Sequence, residues 1–272
     1  MISSTAIDAL LGEPFPVADD EVAAYEANGW ARLAGLIPRE VIDALAERFD
    51  EVSQSLRKTG GGADDPYFTN ERYHRQHRIY NDPANVDPLF RVVAHSRRLA
   101  RAAAALMRSE QVVYLRTTVF EKPPAAEQSL PTTLHQDFPY FPIDRSGSVQ
   151  IWIALTDLPI DSGTLRFVTG SHRAYGVVGR TNVLEEEQRR LAQRFGVLPM
   201  TAPQAMHAGD ATAHHDLTLH GADANAWDRA RRGFTVTFLP PDARYTGAPY
   251  WVTDDLGLPI NAVIRHERLP LL

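Results

Sequence analysis

Four residues carry the chemistry that this chain could do: His135 and Asp137, separated by one residue, then His220 far downstream, then Arg231. Two imidazoles and one carboxylate can hold an octahedral ion on one face and leave three positions open. That is the donor set of non-haem Fe(II) oxygenases. Side chains two residues apart on a strand point the same way, so a strand through this region would aim His135 and Asp137 at one ion. With 10 histidines in the chain the pair is not specific by itself, and a second His-x-Asp stands at His214 and Asp216. A single strand over 210–220 would hold His214 and His220 about 20 Å apart, and Asp216 about 13 Å from His220. Metal–ligand bonds are only about 2.0–2.2 Å. His220 must then find its partners elsewhere, and His135 with Asp137 is the natural couple. His214 and His215 read as core residues or as supports of the ligands.

Beyond His220 come Asn225, then Arg231 and Arg232 at the start of the apolar run 233–239. An arginine at the mouth of an apolar strand is costly to bury without an anionic partner. A dicarboxylate co-substrate, gripped by a bidentate guanidinium–carboxylate pair, is one such partner. A solvent-facing arginine at a strand end is the other reading of the same spacing.

The elements that must position these groups fall into two parts. From Asp19 to about Arg57 apolar residues recur at helical spacing: Val22 and Tyr25, then Val41, Ile42, Leu45 and Phe49. Gly29 stops the first helix, and Pro38-Arg39-Glu40 opens the second with proline at its favoured first turn. Residues 30–37 between them read as a short apolar strand, residues 60–65 as a glycine- and aspartate-rich loop, and residues 88–107 as one further helix. From Val112 the pattern turns to short β-type runs over 112–121, 148–155, 164–168, 210–220 and 233–239, punctuated by turns such as Asp161-Ser162-Gly163. Such a series suggests a sandwich or jelly-roll barrel. Residues 185–195 form a charged amphipathic helix, either an outer helix or a lid. The expected class is mainly β with flanking helices, as a single domain over 1–272: a helical part over about 19–110, a barrel core over about 111–240 and a C-terminal segment over 241–272.

Composition narrows the partners. At 272 residues, 44% hydrophobic and 23% charged, the chain is ordinary globular material. A net charge of -6 repels phosphate backbones, so no nucleic-acid partner is expected. Cysteine is absent, which removes disulfides, thiolate nucleophiles and Cys-type zinc sites together. Residues 1–16 lack the basic and apolar regions of a secretion signal, and no apolar run approaches the roughly 20 residues of a membrane helix. The expectation is a soluble cytoplasmic protein with no membrane partner.

Taken together, the motifs resemble the phytanoyl-CoA dioxygenase family, whose members are Fe(II)- and 2-oxoglutarate-dependent oxygenases. The resemblance rests on His135-Gln136-Asp137 with Tyr140-Phe141-Pro142, Trp152-Ile153-Ala154-Leu155, Ser162-Gly163 and Thr169-Gly170-Ser171-His172. Gly209-Asp210, His220-Gly221, Asn225 and Arg231 extend it, as do Tyr25, Asn28-Gly29-Trp30 and Leu36-Ile37 near the start. It implies a double-stranded β-helix, with His135, Asp137 and His220 binding iron and Arg231 holding the distal carboxylate of 2-oxoglutarate. It also implies that Trp152 and Gln136 flank the co-substrate and, on a looser match, that Thr118 and Arg78 contact it. The sequence departs from some members at Ala222, where they carry a serine that bonds the co-substrate. Asp137 keeps the carboxylate that related halogenases lack, which favours hydroxylation over halogenation. With O2 as oxidant, the implied reaction hydroxylates an unactivated C–H bond of a small, largely hydrophobic molecule, in secondary-metabolite tailoring. Desaturation, epimerisation and cyclisation are siblings of that chemistry. A zinc hydrolase and a non-catalytic binding module are more distant alternatives.

Aromatic residues offer a substrate wall: Phe138, Pro139, Tyr140 and Phe141 directly after the metal pair, and Tyr245, Tyr250 and Trp251 beyond the last strand. The bland reading is that they fill core. Arg72, Arg75 and His77 could meet an anionic group of the substrate.

Overall fold

The computed structural model describes residues 4–58, 78–174, 177–178 and 185–272. The run 60–65 and the basic residues Arg72, Arg75 and His77 lie outside the described residues. Runs rich in Val, Ile, Thr, Phe and Trp form extended backbone because branched and aromatic side chains fit a pleated, half-buried surface. The first sheet has the order β1 (Trp30–Leu33), β7 (Ala211–His215), β5 (Val149–Ala154), β9 (Arg231–Leu239), β3 (Val113–Lys122), β2 (Arg78–Asn81), with every pairing antiparallel. The second has the order β4 (Thr132–His135), β8 (His220–Ala222), β6 (Leu165–Phe167). The two meet face to face: Trp30 of β1 stacks on Phe167 of β6 with ring centroids 5.1 Å apart. This is the jelly roll that the short strands predict.

The large sheet separates its side chains by alternation. One face carries Ala31, Leu33, Val119, Ile151, Ile153, Ala211, Ala213, Phe234 and Val236, all buried in the principal core. Helices cover it. Helix α1 is Ser4–Gly12, and α2 (Asp19–Asn28) begins with three acids that suit the positive end of its dipole. It ends at Gly29, whose φ of 80° is the left-handed conformation that glycine adopts without strain. Helix α3 (Arg39–Lys58) lays Val41, Ile42, Leu45, Phe49 and Val52 into the core. After the short α4 (Pro83–Val86), the single helix expected over 88–107 is two, α5 (Pro88–Ala94) and α6 (Arg97–Leu106). The break comes at Ser96, whose hydroxyl accepts from the Leu99 N–H and caps the second helix.

Helix α7 (Ser171–Ala174) is a single turn, and α8 is Glu185–Phe195. Leu191 and Phe195, one helical turn apart, pack with Val168 and Leu219, which flank β6 and β8, and with Leu134 of β4, so α8 lies against the small sheet. The C-terminal segment runs back to β3, where Leu272 and Val112 exchange backbone hydrogen bonds of 2.9 and 3.1 Å. Among the described residues, no helix is long and apolar enough to cross a membrane.

Candidate functional site

Register brings the two distant histidines together. β4 pairs β8 with His135 directly opposite His220, and the ring centroids are 4.2 Å apart. Asp137 arrives by a different route from the pleat alternation expected of a strand. β4 ends at His135, and Asp137 has helical backbone angles (φ -82°, ψ -33°) at the start of a short 3-10 turn over Phe138–Tyr140. The Asp137 and Phe138 N–H groups both donate to the Asp216 carbonyl, at 2.9 and 3.1 Å, and this fixes the turn. One carboxylate oxygen then lies 3.8 Å from His135 Nε2, and the other lies 3.8 Å from His220 Nε2. One ligand atom from each of the three residues lies within 4.8 Å of the others, close enough for one ion.

Tautomers follow from the hydrogen bonds. His135 Nδ1 lies 2.8 Å from the Thr133 carbonyl and His220 Nδ1 lies 2.9 Å from that of Thr218. A carbonyl only accepts, so each Nδ1 carries the proton and each Nε2 presents its lone pair to the shared space. Burial, and then the neighbouring His214 and His135, push the His220 pKa well below the ordinary imidazole value. Burial alone would raise the Asp137 pKa. The imidazoles of His220, His214 and His135, with the His214 hydrogen bond, outweigh it and hold the carboxyl well below its usual range. A neutral imidazole and an ionised carboxylate are the forms that bind a divalent cation.

The stretch 210–220 is not one strand. β7 ends at His215, a turn follows in which Thr218 N–H donates to the His215 carbonyl, and β8 begins at His220. The turn overturns the estimate of about 20 Å between His214 and His220: their ring centroids are 4.2 Å apart. His214 Nε2 nonetheless faces an Asp137 oxygen at 3.1 Å, and a carboxylate can only accept, so that nitrogen carries a proton. His214 therefore steadies Asp137 and does not point a lone pair at the ion. His215 lies on the opposite face, beside Tyr25 and His172.

Arg231 is not a surface residue. It is 1% exposed, and its guanidinium carbon lies 4.6 Å from the centre of the Trp152 ring. Trp152 lies so close over Gly233 that a Cβ there would meet the indole at 2.1 Å, so only glycine seats it. Asn225 shapes the connection that delivers Arg231: its amide donates to the Pro123 and Arg229 carbonyls, and its oxygen accepts from the Trp227 N–H. Neighbouring Arg232 faces the helices and pairs with Glu121 and Asp50.

Thr118 is buried on the same face as Trp152, in one row with Thr235 and Thr212. Gln136 is fully buried but turned from the ligands. Its amide donates to the Leu217 carbonyl and its oxygen accepts from the Val178 N–H, which ties the metal turn to the loop before His220. Arg78 does not join the site. It stands opposite Glu121 on the helix side of the sheet and pairs with Glu121 and Glu127. Spacing alone could not give its face. Of the aromatic wall, Phe141, Tyr245 and Tyr250 are buried in one cluster with Val113, Leu115 and Leu239, while Phe138, Tyr140 and Trp251 are partly buried against it.

Two residues with no role in the sequence reading also face the barrel. Lys122 sits opposite Arg231 and donates to the Leu130 and Asp223 carbonyls at 2.9 and 2.7 Å. Burial, and then Arg231, push its pKa well below the ordinary lysine value. Arg116 lies on the same strand, nearer the aromatic cluster. The signal available was a charge inside the β-type run 112–121 for Arg116, and one directly at its end for Lys122.

Two features of the interior fit a divalent ion and a polar co-substrate. The donor set at the ion position is two lone-pair imidazoles and a carboxylate. On the same face, the Gln150 amide nitrogen and the hydroxyls of Thr212 and Thr235 are buried without a hydrogen-bond partner among the described residues. Such groups cost stability unless something binds them.

Comparison with known proteins gives the family. The family model for phytanoyl-CoA dioxygenase (PhyH) matches residues 25–233, so the chain belongs to that family. A relative in Danio rerio, phytanoyl-CoA dioxygenase domain-containing protein 1, is 23% identical over 297 residues, covering 89% of this chain and 97% of its own. Among solved structures, the non-heme alpha ketoglutarate dependent carbocyclase SnoK from nogalamycin biosynthesis superposes with a TM-score of 0.76 at 22% identity, over 96% of this chain and 100% of that one. The epimerase SnoN, in complex with Fe3+, alpha ketoglutarate and nogalamycin RO, gives a TM-score of 0.73 at 23% identity, over 93% and 97%.

Proposed function

We propose that this member of the phytanoyl-CoA dioxygenase family hydroxylates an unactivated C–H bond of a small, largely hydrophobic molecule, in secondary-metabolite tailoring. The family's cofactors are ferrous iron and the co-substrate 2-oxoglutarate, with O2 as oxidant. The observation that carries the reading is the cross-strand pair His135 and His220 with Asp137 turned toward both. His135 Nε2, His220 Nε2 and one Asp137 oxygen would hold the iron. Bound there, the iron would supply O2 activation coupled to oxidative decarboxylation of 2-oxoglutarate.

The rest is the work of this chain's own side chains. The Thr133 and Thr218 carbonyls fix both imidazoles in the ligating tautomer. His214 occupies one Asp137 oxygen and leaves the other for the metal. Arg231, stacked on Trp152, offers a desolvated guanidinium to the far carboxylate of the co-substrate, with Thr118 in the same interior. Gln136 positions the metal turn from behind. Phe138, Tyr140 and Trp251 form the apolar wall for the substrate. A zinc hydrolase would have no use for a buried Arg231 facing the same interior. Tailoring of a secondary metabolite is supported by the likeness in fold to enzymes from nogalamycin biosynthesis.

Incubating the Fe(II)-loaded protein with candidate metabolites, 2-oxoglutarate and O2 tests the reading. A true substrate stimulates succinate release and gains one oxygen atom by mass. Loss of two hydrogens, or unchanged mass with inverted stereochemistry, would place the reaction among its desaturating or epimerising siblings. Full activity on zinc without O2 would refute it.

A further inference from the structure

We infer that Arg116 is a substrate anchor and that the substrate carries a carboxylate beside its hydrophobic body; this rests on the proposed function. Arg116 pairs with Thr237, Thr237 with Gln150, and Gln150 with His214, one row across four neighbouring strands on the barrel face. That row ends at the imidazole bonded to Asp137. The Arg116 guanidinium carbon lies 5.6 Å from the centre of the Phe141 ring, in the turn that follows the metal residues. Its Nε is buried, and among the described residues the side chain forms no hydrogen bond and no ion pair. Asp82 feels its charge, but gives its oxygens to the Thr117 N–H and hydroxyl and to the Asn85 amide.

A partly desolvated guanidinium with open donors and an aromatic neighbour is a receptor for a planar anion. It is not the receptor formed by Arg231. Their positions along β9, Thr237 opposite Arg116 and Arg231 itself, are about 20 Å apart at the rise of a strand. The two arginines thus address opposite ends of one interior. Arg231 suits the co-substrate and Arg116 the substrate, next to Phe141 of the aromatic cluster.

Isothermal titration with 1-naphthoate and its uncharged analogue 1-naphthamide tests this, on anaerobic Fe(II) protein both with saturating 2-oxoglutarate and without it. The wild type should bind the carboxylate about tenfold more tightly than the amide with 2-oxoglutarate present. Arg116→Met should erase that preference and leave 2-oxoglutarate affinity unchanged, while Arg116→Lys should retain part of it. A melting curve matching the wild type establishes that each variant is folded. Equal binding of both probes, binding of neither, or a preference that survives in Arg116→Met overturns the inference. So does a loss of 2-oxoglutarate affinity in Arg116→Met like that in Arg231→Met, which would move Arg116 to the co-substrate. Failure of the wild type to bind 2-oxoglutarate would strike the proposed function instead, and the titrations without it would still read the anion preference.

Discussion

The two faces of the large sheet are built from the same strands and do opposite work. Toward the helices stand Val119, Ile151, Ile153, Phe234 and Val236, side chains with nothing to offer except area removed from water. Toward the barrel, one residue away in each case, stand Thr118, Gln150, Trp152, Thr235 and Thr237. The first face is saturated by its own chain, at about 1.5–3 kcal/mol for each large apolar side chain fully buried. The second carries buried polar atoms that the described residues do not satisfy, and a buried guanidinium over an indole. One face holds the fold together. The other accepts a stability penalty and leaves buried polar atoms of Gln150, Thr212 and Thr235 without a partner among the described residues.

If that division holds, substitutions on the two faces should separate stability from binding. The largest effect belongs to the helix side. Phe234→Ala removes a ring packed edge-on against Phe90 at 5.1 Å and should cost about 3–5 kcal/mol in chemical denaturation, with metal affinity of the folded protein unchanged. Next comes Arg231→Met. Isothermal titration should show 2-oxoglutarate affinity weakened by roughly 2–5 kcal/mol, while thermal stability holds or rises because a buried cation is gone. Unaltered affinity there would remove the arginine from its assigned role.

His214→Phe probes the link between the sheets. Fe(II) affinity should fall by about 10–100-fold as the Asp137 oxygen loses its donor, and a metal titration giving wild-type affinity would break this part of the comparison. The smallest effect is expected from Thr235→Val, which removes a buried hydroxyl with no hydrogen-bond partner among the described residues. Stability should rise by up to about 1 kcal/mol. A clear loss would show that the hydroxyl is already satisfied and that the barrel face is less reserved than it looks.

Much of the architecture could be read from local chemistry. Gly29 stops α2, the Pro38 segment opens α3, and the β-type runs from Val112 onward become strands, because each signal acts within a few residues of itself. His135, Asp137, His220 and Arg231 were legible as chemistry for the same reason: charged or ligating groups set in apolar runs need partners. What escaped depends on distant contacts. The turn between β7 and β8 has no glycine or proline to announce it. Asp216 anchors it by accepting from the Gly147 and Ser148 N–H groups, far away in the chain. Asp137 reaches the two histidines by a turn gripped by that same residue, not by the pleat. The co-substrate contact that the resemblance implies for Arg78 is not made, and its partner Glu121 emerges only through the register of β2 on β3. Arg116 obeys the same rule as Arg231, but its face is set by the register of β3 on β9, which is irregular between Tyr114 and Arg116.

In the proposed function His135, Asp137 and His220 converge on one ferrous ion with room left for a chelating co-substrate. Anaerobic spectrophotometric titration of the protein with Fe(II) and then 2-oxoglutarate tests it most directly. The expected result is a weak visible charge-transfer band that saturates at one iron per chain, weakens in Arg231→Met, and is absent in folded His135→Ala and His220→Ala. A folded wild-type protein that gives no band, or a band that persists undiminished in His220→Ala, would contradict it.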